Sequence, residues 1–163
     1  METTIILKLY NGKNAKSEKI VYDIMTNIYT ELSNKYSDKI NIILQDSEKD
    51  LTQDGQNIIV GFTSFTNPTT KGGGCFYTKQ NKDCEDISKI LLTNLSKKNL
   101  LTNNRGLLPM VTDKRLVLLE LAYLTNKTDF KMIQCKSYLK KVTDSLIESL
   151  YIILGEKEEN TTT

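Results

Sequence analysis

Leu116-Val117-Leu118-Leu119-Glu120-Leu121 is the stretch from which the fold reads most directly. A short unbroken aliphatic run is too brief for a core helix and fits a strand of an α/β sheet covered on both faces. Its one discordant member is Glu120. An ionised carboxylate in an apolar setting is costly unless it is paired, metal-bound, or placed at a strand end facing a cleft. Glu120 is therefore the first candidate functional residue, the plain alternative being a hydrogen bond to a loop at the strand's C-terminal end.

Working outward from this strand, helical and extended patterns alternate. Downstream, from about Asp129 to Leu154, Leu139, Val142, Leu146, Leu150 and Ile153 recur at helical spacing and stop at Gly155, a favoured residue just past a helix end. Upstream, Cys84 to Ser96 carries Ile87, Ile90, Leu91 and Leu95 in the same way. A glycine-rich loop, Thr66 to Gly74, precedes a short strand from Cys75 to Thr78. Three further strands are predicted at Thr3 to Tyr10, Lys39 to Gln45 and Asn57 to Phe62, with an amphipathic helix from Glu18 to about Tyr36. The expected fold is α/β: a single domain over residues 1–155, followed by a polar tail at 156–163.

The 163 residues fit one core, and 22 basic against 20 acidic side chains leave a net charge of +2. The lysines are interspersed with acids, so no nucleic-acid partner is expected. The cysteines, Cys75, Cys84 and Cys135, lack metal-knuckle spacing and are odd in number, which points away from a disulfide framework. Neither a signal peptide nor a membrane-spanning run is read in the chain. The expected location is cytoplasmic or on a virion or other particle, without membrane insertion.

The segment Val117 to Asp129 resembles the carboxy-terminal motif, roughly V-L-V-E-x-G-F-[LI]-[ST]-N-x-x-[DE], of the zinc-dependent N-acetylmuramoyl-L-alanine amidases of autolysins and phage endolysins. Leu118, Leu119, Glu120, Leu121, Tyr123, Leu124, Thr125, Asn126 and Asp129 fall in place, with Ala122 where glycine is usual. Weaker correspondences run in the same order. Asn104-Arg105-Gly106 is similar to the family's N-R-G before the penultimate strand, and Phe65-Thr66-Asn67-Pro68 with Lys71-Gly72 to its F-x-N-P…K-G loop. The strand ending at Tyr10-Asn11-Gly12 resembles the opening D-P-G-H-G segment. The resemblance implies a twisted, mostly parallel sheet of five or six strands with helices on both faces, and Glu120 as the position of the catalytic acid/base.

The family's chemistry needs a zinc ion held by two histidines and a glutamate, with one position left open. This chain has no histidine. By the best match Asn11 stands at the first histidine position, the second falls at or beside Gly61, and the third ligand position is Glu18 or the adjacent Ser17. An amide oxygen is a weak zinc ligand and glycine has no side chain to offer. The resemblance therefore implies a domain whose zinc site is lost, with no cofactor and Glu120 vestigial. A thiol mechanism on Cys75, behind three glycines, would want a histidine base.

The expected role is binding or assembly: peptidoglycan, a phage or cell-wall protein partner, or another copy of the chain. The residues expected to meet such a ligand are Arg105, Asn67 and Lys71, since arginine pairs with carboxylates and the glycine-rich loop lets a backbone approach. The rival reading is an active peptidoglycan hydrolase with a non-standard metal set of Glu18, Glu120 and loop carboxylates holding a harder ion.

Overall fold

The computed structural model describes residues 5–10, 18–36, 41–45, 55–63, 72–100 and 104–155. In chain order these form β1 (Ile5–Tyr10), α1 (Glu18–Tyr36), β2 (Asn41–Gln45), β3 (Gln56–Thr63), β4 (Gly73–Thr78), α2 (Lys82–Lys97), β5 (Asn104–Met110), β6 (Leu116–Tyr123), α3 (Lys127–Ile133) and α4 (Lys136–Ile153).

The strands make one sheet in the order β2-β1-β3-β6-β4-β5. The sheet is mixed. β2, β1, β3 and β6 run parallel to one another, β4 joins β6 antiparallel, and β5 then runs parallel to β4. The sixteen-residue α2 links β4 to β5, the crossover that a parallel pair requires.

On β6 burial alternates: Val117, Leu119 and Leu121 are buried, while Leu116, Leu118 and Glu120 are half-buried. Val117 and Leu119 lie in register with Ile58 and Val60 of β3 and with Tyr77 and Cys75 of β4. This is the core face. Met25, Ile28 and Leu32 of α1, Leu91 and Leu95 of α2, and Val142, Leu146 and Leu150 of α4 join it in one apolar cluster. α4 packs on both α1 and α2, so the three long helices share that face. Two-sided helical cover and a β6 buried on both faces are accordingly corrected among the described residues. The unbroken aliphatic run concealed the difference, because Leu116 and Leu118 are as apolar as their buried neighbours.

Two helix starts follow from local chemistry. Asn81 Oδ1 accepts the Cys84 N–H at 3.0 Å, with Asp83 and Glu85 in the first turn of α2 complementing its dipole. Asn126 Oδ1 likewise accepts from the N–H groups of Thr128 and Asp129 at the start of α3. The single helix expected over Asp129 to Leu154 is two, separated at Gln134 and Cys135. α3 is fastened at its N-terminus to the end of β6, whereas α4 must lay Val142, Leu146 and Leu150 along α1 and α2. One straight rod would not serve both. Cys135 is exposed at the N-cap of α4.

β5 carries no apolar alternation to find it by, since Gly106 and Pro109 are poor strand residues. It is tolerated because it lies at the sheet edge, where a missing N–H breaks no ladder.

Candidate functional site

Glu120 sits in a cross-strand row on the half-buried face of the sheet. Its neighbour on β3 is Gly61, and on β4 it is Gly74. Tyr10 of β1 extends the same row beyond Gly61. With glycine on either side, the carboxylate has no flanking side chain from its immediate strand neighbours and keeps a side-chain exposure of 16%.

Arg105 is brought to this row by a bulge. The pairing of β4 with β5 steps from Gly73↔Asn104 to Cys75↔Leu107, so that Gly74 faces two residues, Arg105 and Gly106. Asn104 Oδ1 closes the turn by accepting the Gly106 N–H at 2.8 Å, and Gly106 takes a φ of 81°, a left-handed value that glycine adopts without a Cβ penalty. A Cβ on Gly74 would stand 3.2 Å from both the Cβ of Arg105 and the carbonyl oxygen of Gly106. Asn104-Arg105-Gly106 thus has a mechanical meaning: cap, delivered side chain, and hinge.

A second bulge brings in Tyr123. Between Gly61↔Glu120 and Thr63↔Tyr123, β3 advances two residues while β6 advances three. The extra residue turns Tyr123 toward the face that Glu120 occupies. Arg105 Nη1 donates to Glu120 Oε2 at 3.2 Å and to the Tyr123 hydroxyl. That hydroxyl in turn donates to the same carboxylate oxygen at 3.3 Å. The guanidinium carbon also lies 5.4 Å from the centroid of the Tyr123 ring and 6.0 Å from that of Phe76, within cation–π range.

Burial raises the Glu120 pKa above the ordinary carboxylate range; the Arg105 charge and the Tyr123 hydrogen bond pull the other way without cancelling it. The Tyr123 phenol is raised as well, first by burial and then by the Glu120 charge, so it stays a neutral donor. Cys75, one residue along from Gly74, points to the core face opposite Leu119. Burial, and secondarily Glu120, push its thiol far up, which removes it as a nucleophile at neutral pH.

Behind the site Asp129, fully buried, accepts from the N–H groups of Gly72 and Tyr123 with one oxygen, Oδ2, at 2.9 Å each. It staples the start of β4 to the end of β6 and fixes the backbone that carries Tyr123.

Of the site positions read from sequence, the structure brings together Arg105, Glu120 and Gly61. Glu18 is the first residue of α1. Asn11, Ser17, Asn67 and Lys71 lie outside the described residues. Among the described residues no three His, Cys, Asp or Glu side chains are placed to hold a metal ion. The cation beside Glu120 is instead a guanidinium, and the zinc implied by the resemblance does not fit a chain without histidine. Tyr123, Phe76 and Asp129 were given no site role by sequence. Tyr123 and Asp129 do fall inside the Val117 to Asp129 motif, which was the signal available, but strict strand alternation puts residue 123 on the wrong face.

Taken together, the described residues form an α/β domain with a mixed sheet and a carboxylate in the C-terminal half of β6. No family model matches the sequence, and no curated protein does. Solved structures do match in fold. An N-acetylmuramoyl-L-alanine amidase of Clostridium difficile 630 superposes with a TM-score of 0.69 at 11% identity, covering 96% of this chain and 100% of that one. The catalytic domain of the amidase CwlV of Bacillus (Paenibacillus) polymyxa var. colistinus gives 0.67 at 14%, over 94% and 100%. The catalytic domain of the endolysin CD27L, which targets Clostridia difficile, gives 0.61 at 14%, over 96% and 99%. At these identities the likeness establishes the fold.

Proposed function

We propose that this chain is a catalytically inactive amidase-like domain whose retained fold serves binding or assembly, with peptidoglycan or a phage or cell-wall protein as its partner. The observation that carries the reading is the absence of histidine from the whole sequence, in a fold shared with N-acetylmuramoyl-L-alanine amidases. Tight zinc binding needs three or more good donors converging on one point. Beside Glu120 this chain offers glycine and arginine. A fixed guanidinium next to the carboxylate also disfavours a second cation there, which weighs against a hydrolase built on a harder metal ion.

The test is direct. Protein exposed to zinc and then desalted retains no stoichiometric metal and clears no cell walls in a zymogram. Retention of one zinc per chain, with clearing that disappears on chelation, would make it a working amidase. Co-sedimentation with purified sacculi separates a wall ligand from a protein partner.

A further inference from the structure

We propose that Arg105 and Glu120 form a receptor for the C-terminal residue of a peptide, its carboxylate on the Arg105 guanidinium and its N–H on Glu120. The inference rests on reading this domain as a binding module and names the ligand chemistry.

Three observations carry it. First, the pair is only partly used. Arg105 spends Nη1 on Glu120 and Tyr123, and among the described residues its Nη2 and Nε have no other partner. Glu120 accepts through Oε2 alone, leaving Oε1 without a partner among the described residues. With side-chain exposures of 31% and 16%, the two present donors beside an acceptor, the complement of a carboxylate next to an amide N–H.

Second, Arg105 does not depend on Glu120 for its position. Its Cβ passes Gly74 more closely than a Cβ there would accommodate without a shift, at 3.2 Å. The head lies over Phe76 and Tyr123, and the Gly106 bulge sets its backbone. A receptor group held this way loses little freedom when a ligand arrives.

Third, the neighbours of Glu120 in its row are Gly61 and Gly74, so a ligand backbone meets bare strand on both sides of the carboxylate. A lone anion such as acetate is repelled by Glu120 as it nears Arg105. A ligand that brings its own N–H offsets that repulsion, which makes the site selective for a peptide end over a free acid.

The experiment is an NMR or calorimetric titration with an N-acetylated peptide bearing a free C-terminus, the same peptide as its C-terminal amide, an N-acetyl amino acid, and acetate. The free-carboxylate peptide binds best, with the amide and acetate each weaker by about tenfold or more, the loss expected for one charge-assisted pair. An N-acetyl amino acid equal to the peptide places recognition in the terminal residue alone; a weaker one shows that the preceding residue also contributes. Arg105→Met, checked for an unchanged far-UV spectrum and melting curve, abolishes the preference for carboxylate over amide. Glu120→Ala keeps acetate binding or strengthens it while the advantage of peptide over acetate collapses. Equal binding of carboxylate and amide, unchanged binding by a folded Arg105→Met, or no binding by the parent at millimolar peptide would each overturn the inference. Sedimentation with sacculi by a protein that ignores the peptides would sink this inference and leave the binding reading standing. Peptide binding without sedimentation would do the reverse to its wall-ligand form.

Discussion

Tyr123 and Glu120 meet through a hydroxyl–carboxylate hydrogen bond of 3.3 Å although they stand an odd step, three positions, apart along one strand. Regular β structure would send their side chains to opposite faces. The bulge after Glu120, where β6 gains a residue on β3, is what puts them together.

Tyr123→Phe removes the hydroxyl and leaves the ring over Arg105. The hydrogen bond favours the ionised form of Glu120, so the Glu120 carboxyl should titrate higher still in the variant. Stability at neutral pH should fall by about 1 kcal/mol, the usual net worth of such a bond. Carboxyl carbon shifts of Glu120 across a pH series, with urea unfolding alongside, check both. An unmoved titration would mean that the hydroxyl does not bond the carboxylate in solution.

Asp129→Asn tests the staple. The buried carboxylate accepts two backbone N–H groups through one oxygen. An asparagine keeps an acceptor, loses the charge assistance and must bury an amino group as well. A cost of roughly 2–3 kcal/mol follows from those losses. Amide exchange at Gly72 and Tyr123 should quicken more than at Val117 on the same strand, and a uniform change across β6 would count against a local staple.

Gly74→Ala places a methyl 3.2 Å from the Arg105 Cβ and the Gly106 carbonyl. One of those contacts is backbone, so β4 and β5 must part locally, at a cost of about 1–3 kcal/mol as for other overpacked sites. The more telling readout is Arg105: its Nε–H resonance and the Glu120 titration should both shift. A variant with parent-like stability and an unmoved Arg105 would show that the close passage is not what keeps this position glycine.

Much of the fold was legible because helical periodicity and short aliphatic runs are strong signals. α1 begins at Glu18 and ends at Tyr36 as the spacing predicts, and β2, β3 and β6 fall where the apolar runs lie. What escaped depends on tertiary context. The antiparallel entry of β4, the one-sided helical cover among the described residues, and β5 with its Pro109 belong to strand order and edge position, which no local pattern encodes. At the site, Glu120 stood out because a charge among leucines is costly, and Arg105 because of the Asn104-Arg105-Gly106 motif. That they pair with each other was hidden. So was Tyr123, since a bulge inverts facing and periodicity assumes that there is none.

Glu120→Gln asks whether the charge itself is needed. In the parent the folded-state pKa lies above the unfolded one, with burial as the leading cause. Below the ordinary glutamate range both states are protonated, and the parent carries no ionisation penalty. As pH rises, the unfolded chain ionises first and is favoured, so the parent loses stability through the window that ends at the raised folded value. The Gln variant has no such loss. It should therefore match or exceed the parent at neutral pH, with an advantage that shrinks as pH falls through that window. Arg105, left without its anionic partner, is one-third exposed and keeps its hydration, which limits the penalty that a fully buried unpaired charge would impose. Urea midpoints of the two proteins from pH 4 to 8, at constant ionic strength, decide the point. A Gln variant markedly less stable than the parent at neutral pH, and converging with it in acid, would show that the ion pair with Arg105 outweighs burial and that the carboxylate is a structural anion of this fold.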